Sequence, residues 1–235
     1  MTTTGKKQRR SGRQRTGITT THILIVAGAA ILAVGLLVIL NMNRSQTQPV
    51  TALTYETGLT ADGEPYKGSP DAPLRIVEYS DFLCGHCADF AASLDVLGPE
   101  YIETGKVQVI FRNFAFLAPE SSQAAQAAEC ALDQGADRFW LYHNLLFAER
   151  GTGLPAYSKP RLKTYAKQIG LDTAAFNQCL DSGAKKEEVQ SDLDEGRAQG
   201  VQATPTWFLN GEVVRGALPE SELRDLLQRR LLQGS

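Results

Sequence analysis

The sequence predicts an α/β domain interrupted by a helical insertion and carried behind a single N-terminal membrane-spanning helix. Three observations carry that reading. An uninterrupted apolar run occupies residues 23–40, a strand-helix-strand pattern fills residues 74–114, and a stretch without a strand, 119 to about 199, is followed by a hairpin signal.

The first 22 residues hold Lys6, Lys7, Arg9, Arg10, Arg13 and Arg15 and no acid. Removing these six from the 24 basic residues leaves 18 against 26 acids, so the arm and the remainder suit different environments. Residues 23–40, ILIVAGAAILAVGLLVIL, carry no charged or hydrogen-bonding side chain. At about 1.5 Å per residue a helix of that length matches a bilayer's hydrocarbon core. It reads as an anchor, because the apolar part of a signal peptide is shorter and no small-x-small cleavage site follows Leu40 in NMNRSQTQ. The positive-inside rule then keeps residues 1–22 in the cytoplasm and exports everything after the span. Topology accounts for the basic arm, and nucleic acid is not an expected partner.

Residues 41–73 are rich in Thr, Gln, Gly, Pro and Ser and read as a polar extracytoplasmic tether. The folded domain is placed at 74–235. LRIVEYS, bounded by Pro70 and Pro73, is strand-like. Residues 84–97 have apolar positions at helical spacing, with Gly98 and Pro99 as the stop. KVQVIFRNF alternates and is β-branched, giving a second strand. Such a unit closes right-handed into a parallel pair, which puts position 84 at the carboxyl edge of the sheet. The helical insertion, about 118–199, begins with an Ala-rich helix from Pro119 to Gly135. Asp137 is expected to cap the aromatic helix RFWLYHNLLFAER, and further helices are expected over 158–169, 172–180 and 185–199. TPTWFLNG and EVVRG form a hairpin about Asn210-Gly211. Pro219 opens a last helix with Leu223, Leu226, Leu227 and Leu231 on one face. Phe139, Trp140, Tyr142 and Phe147 are assigned to the core, and His143 to an ordinary helix position.

The chemistry sits in SDFLCGHCADF, residues 80–90. Cys84 and Cys87, three apart at a helix start, lie on one face of its first turn and are able to close a disulfide. Cys84 meets the unpaired N–H groups and the positive end of the helix dipole, which favour a thiolate; Cys87 lies one turn inside. A low-pKa sulfur is both a competent thiolate and a good leaving group, as disulfide exchange requires. His86 adds a further positive charge or donor. A zinc site needs a second close pair, whereas Cys130 and Cys179 are isolated in separate helices; no metal is expected. A purely structural bridge across so small a loop would restrict the unfolded chain little.

SPDAPLRIVEYSDFLCGHCADF, followed far downstream by GVQATPTWFLNG, resembles the DsbA-type thiol-disulfide oxidoreductases, particularly their membrane-tethered members. The resemblance covers roughly residues 66–235 and implies a thioredoxin-like fold with an inserted helical domain. By position it implies that Cys84 is the exposed nucleophile, Cys87 the resolving cysteine, and Pro205 the loop proline that is cis in this fold, preceded by Thr204. A cis bond there would turn the Thr204 backbone toward the disulfide, where it pairs with an extended substrate. Glu78, six residues before Cys84, matches the buried acid that serves as proton acceptor. The outward one of Trp207 and Phe208 is placed along the bound peptide. Two departures stand out: Gly-His between the cysteines instead of Pro-His, and Thr instead of Val before Pro205.

Export makes a Cys130–Cys179 bridge the favoured reading over two free thiols. The function expected is a membrane-tethered, extracytoplasmic dithiol oxidase that inserts disulfides into exported proteins through Cys84 and Cys87, with no organic cofactor. The resemblance implies reoxidation by a quinone-linked membrane partner of the DsbB or vitamin K epoxide reductase type. A reductase or isomerase, and a non-catalytic binding module, are the alternatives.

Overall fold

The computed structural model describes residues 53–234, together with Thr2. The basic arm 1–22, the anchor 23–40 and the tether up to residue 52 lie outside the described residues. Among the described residues no helix is long and apolar enough to cross a membrane.

The chain runs β1 (Thr57–Leu59), β2 (Pro65–Lys67), β3 (Leu74–Ser80), α1 (Gly85–Tyr101), β4 (Val107–Asn113), α2 (Pro119–Leu132) and α3 (Ala136–Glu149). Two 3₁₀ turns follow, Arg150–Thr152 and Leu154–Tyr157. Then come α4 (Lys159–Gln168), α5 (Thr173–Ser182), α6 (Lys186–Ala198), β5 (Thr206–Leu209), β6 (Glu212–Arg215) and α7 (Glu220–Gln233). The six strands form one sheet in the order β1-β2-β4-β3-β5-β6. β3 and β4 are parallel, from Leu74 opposite Val107 to Ser80 opposite Asn113, and the other pairs are antiparallel.

Alternation along β3 sorts the interior. Leu74, Ile76 and Glu78 face the main core with Phe111 and Trp207, while Val77 and Tyr79 belong to a second cluster with Phe114, Leu193 and Phe208. Helix α3 contributes Phe139, Trp140, Tyr142 and Phe147 to the main core. Among these aromatics, burial and then the nearby Lys67 charge push His143 down to about 3, so it packs as a neutral ring. Asn210 and Gly211 both adopt positive φ, 49° and 88°, the backbone that a tight two-residue hairpin requires. The Asn210 amide is tied to Pro73 and Arg75 at the start of β3.

Three expectations need correction. The tether was expected to reach residue 73, yet β1 and β2 belong to the sheet, with Tyr66 opposite Ile110 and Lys67 opposite Val109. Three-residue strands are too short to show an alternating pattern. Gly98 and Pro99 do not end α1, which continues to Tyr101. The proline costs about 3 kcal/mol in a helix interior, but it falls in the last turn, where burial of Tyr101 and Ile102 offsets that cost. The N-cap of α3 is Gly135, not Asp137: the chain enters at φ 133°, which glycine accommodates, and Asp137 lies in the first turn facing the helix dipole.

Candidate redox site

β3 delivers the chain to the carboxyl edge of the sheet, and α1 starts there. Cys84 is the N-cap of α1, with φ −74° and ψ 124°; its N–H donates to the Asp81 carbonyl at 2.9 Å, and its carbonyl accepts from the Ala88 N–H at 3.2 Å. The intervening loop is clamped on two sides. The buried Asp81 carboxylate accepts from the N–H groups of Leu83, Phe116 and Leu117 at 2.9, 3.0 and 3.1 Å, joining this loop to the one after β4. The Tyr157 hydroxyl, from the helical insertion, donates to the Phe82 carbonyl at 2.8 Å. Charged acceptors of several N–H groups make strong bonds, so the turn is held in place before any substrate arrives.

The two thiols are in the dithiol form and differ in environment. Cys84 is 8% exposed and Cys87 is 0%. The Cys84 Sγ–H donates to the Thr204 carbonyl at 3.3 Å, across 120 residues of chain, and the Thr204–Pro205 peptide bond is cis. A hydrogen bond from Cys87, assisted by the Thr204 side chain and by the Cys87 and His86 backbone N–H groups, holds Cys84 down at about 5 against the opposing effect of burial. Cys87 is pushed strongly upward, first by burial, then by the Cys84 thiolate and the Glu78 charge. When one proton is shared between the sulfurs, it stays on Cys87.

Glu78 is 1% exposed, and burial pushes its carboxyl up to about 7, against the pull of Lys67. Lys67 is itself buried, with Nζ 3.2 Å from Asp95 and 4.8 Å from the centre of the Trp140 ring. The acid below the cysteines is thus poised to hold or release a proton near neutrality.

Cys84, Cys87, Glu78, Thr204 and Pro205 converge at this one edge. His86 does not join them through its side chain: the imidazole is 79% exposed, 3.6 Å from Asp89, and only its backbone N–H serves Cys84. Cys130 and Cys179 are joined by a disulfide that ties α2 to α5 within the insertion. Trp207 stacks on Phe90 beneath the site, at 5.0 Å between centroids. The expectation that its outward neighbour lines a bound peptide meets a different geometry. Phe208 faces a cleft of about 700 Å³ on the opposite face of the sheet, lined also by Tyr66, Tyr79 and Arg112 and by neither site cysteine. Sequence reasoning missed Lys67, Asp81 and Tyr157. Asp81 carried a signal, since a loop acid three residues before an N-cap often binds backbone; Tyr157 carried none.

Comparison with known proteins places this geometry in context. A protein-family model described as Thioredoxin matches residues 60–229. "Probable disulfide bond formation protein D" of Bacillus anthracis is 27% identical over 194 residues, 81% of this chain and 87% of that protein. The crystal structure of oxidised BdbD from Bacillus subtilis superposes with a TM-score of 0.66 at 26% identity, covering 75% of this chain and 98% of that one. Wolbachia pipientis alpha-DsbA1 shares the fold, with a TM-score of 0.66 at 22% identity over 75% of this chain and 94% of its own.

Proposed function

We propose, from the premise that this chain belongs to the thioredoxin family and is a DsbA-type protein-disulfide oxidoreductase, that it acts as a dithiol oxidase on exported proteins through Cys84 and Cys87. The observation that carries this reading is the asymmetry of the two thiols: Cys84 rests at about 5 while Cys87 is pushed up. A stabilised thiolate in the reduced protein favours that form, and a protein that favours its dithiol oxidises others.

In the oxidised protein a substrate thiolate attacks Cys84 Sγ. The Cys84–Cys87 bond breaks, a mixed disulfide forms on Cys84, and Cys87 leaves with the electron pair and takes a proton from the Glu78 carboxyl. A second substrate thiolate then attacks the substrate sulfur of the mixed disulfide. Cys84 leaves as a thiolate, and the substrate has lost two electrons to the dithiol. The Thr204 carbonyl, released from the Cys84 thiol when the sulfur is bonded, is free to accept from a substrate backbone N–H.

The catalytic domain works outside the cytoplasm on a membrane anchor. The basic arm and the apolar run 23–40 support that placement, and the Cys130–Cys179 disulfide is in keeping with an oxidising compartment. Two electrons per cycle leave Cys84 and Cys87 for a quinone-linked membrane oxidase of the DsbB or vitamin K epoxide reductase type. Cys84→Ser tests the assignment. The variant is expected to lose all oxidation of a reduced, unfolded thiol substrate, and turnover at the wild-type rate would overturn it.

A further inference from the structure

The helical insertion brings one cation against the redox turn. Arg150, at the end of α3, is half-buried, and its guanidinium packs on Gly85, the residue between Cys84 and His86. A β-carbon at position 85 would lie 3.4 Å from Nη2 and 3.5 Å from both Cζ and Nη1. Near-equal distances to three atoms of a planar group place its face, not its edge, over the glycine. A β-carbon there would meet the guanidinium at ordinary van der Waals distance, so the two groups are near neighbours.

No carboxylate pairs with Arg150 among the described residues. Its neighbour Glu149 is engaged by Arg161 at 3.3 Å and by the Tyr165 hydroxyl at 3.3 Å. Tyr157, which feels the Arg150 charge, has its hydroxyl committed to the Phe82 carbonyl, and the Asp81 carboxylate is occupied by three backbone amides. A guanidinium lying against the first turn of a helix is also at the wrong end of the dipole, where a cation is repelled unless an anion lies close by. The anion this turn generates is the Cys84 thiolate.

We propose that Arg150 is a positioning residue of the redox centre, a charge supplied by the helical insertion that favours the Cys84 thiolate and so the reduced form of the protein. Resting on the redox reading above, the inference adds a named source of oxidising power outside the Cys-Gly-His-Cys segment. In exchange with glutathione, two thiols of glutathione lose two electrons and two protons and join, the Cys84–Cys87 bond breaks, Cys87 takes one proton, the other passes to solvent, and Cys84 keeps the negative charge.

The experiment uses the full-length chain in detergent as wild type, Arg150→Gln, Arg150→Lys and, as a control, Arg197→Gln, whose partner is the exposed Asp194. Each is equilibrated with reduced and oxidised glutathione, and the Cys84 thiolate is titrated by its ultraviolet absorbance. Arg150→Gln is expected to move the equilibrium about tenfold toward the disulfide, about 30 mV for a two-electron couple, and to move the thiolate midpoint upward. Arg150→Lys recovers most of both shifts, and Arg197→Gln changes neither. An Arg150→Gln protein with wild-type equilibrium and midpoint overturns the inference while leaving the redox reading intact. An Arg150→Lys protein as impaired as Arg150→Gln also overturns it, because shape and not charge would then be at work. A wild-type chain whose Cys84 and Cys87 do not exchange with glutathione removes the reading beneath it.

Discussion

The sulfur of Cys84 and the backbone of Thr204 meet at 3.3 Å, although 120 residues separate them. Thr204 serves both protonation states of that sulfur. Its carbonyl accepts from the thiol, and its side chain stabilises the thiolate. A valine before Pro205 would keep the first contact and lose the second. Thr204→Val is therefore expected to raise the Cys84 midpoint above about 5 and slow alkylation by iodoacetamide at pH 6 several-fold. Unchanged alkylation between pH 4 and 8 would show that the side chain contributes nothing.

The Cys84 thiolate also couples redox state to stability. Its pKa is depressed from an ordinary 9.0 to about 5, so it contributes stability to the dithiol form that is complete above the unfolded value and is lost as pH falls through about 5. At pH 7 the contribution is about 2–3 kcal/mol. Urea unfolding of the dithiol and disulfide forms is expected to show the dithiol form more stable at pH 7. That advantage shrinks steadily toward pH 4.5.

Glu78 works in the opposite direction. Burial raises its folded-state value from 4.5 to about 7, so ionising it costs stability, and that cost grows as pH rises from about 4.5 and is complete above about 7. Glu78→Gln is expected to stabilise the dithiol protein by about 3 kcal/mol at pH 8 and by almost nothing at pH 4. The same variant should slow oxidation of a substrate thiol, because Cys87 then leaves without a proton donor. A variant with the wild-type stability profile would place the negative charge elsewhere.

The bridge between Cys130 and Cys179 closes a loop with a sequence separation of 49. The chain-entropy relation gives about 4 kcal/mol for a loop of that length. Replacing both cysteines by alanine is expected to lower the urea midpoint accordingly and to leave the glutathione equilibrium of Cys84 and Cys87 unchanged. A shifted equilibrium would mean that the two pairs communicate.

Much of this architecture was legible in the residues, for identifiable reasons. LRIVEYS and KVQVIFRNF are long enough to display alternation, and the strand-helix-strand order fixes a parallel pair, so the edge that carries Cys84 followed from pattern alone. The strands at 57–59 and 65–67 were invisible because neither completes two periods, and with them went Lys67, a buried cation inside what read as a solvated tether. The position of Glu78 came from resemblance; its burial and its raised pKa needed Trp207 and Phe111 in place on either side. Arg150 and Tyr157 reach the redox turn only through the path of the insertion, which no local periodicity encodes. His86 looked like the natural source of positive charge, yet its ring leaves the site for Asp89 because its position on the first turn of α1 points outward.

The most direct test of the central claim is the reduction potential of Cys84 and Cys87 in the full-length chain, equilibrated against glutathione. An oxidase built on a stabilised Cys84 thiolate should lie at about −180 mV or higher. A value near −270 mV, as in thioredoxin, would contradict the account and reverse the direction of electron flow.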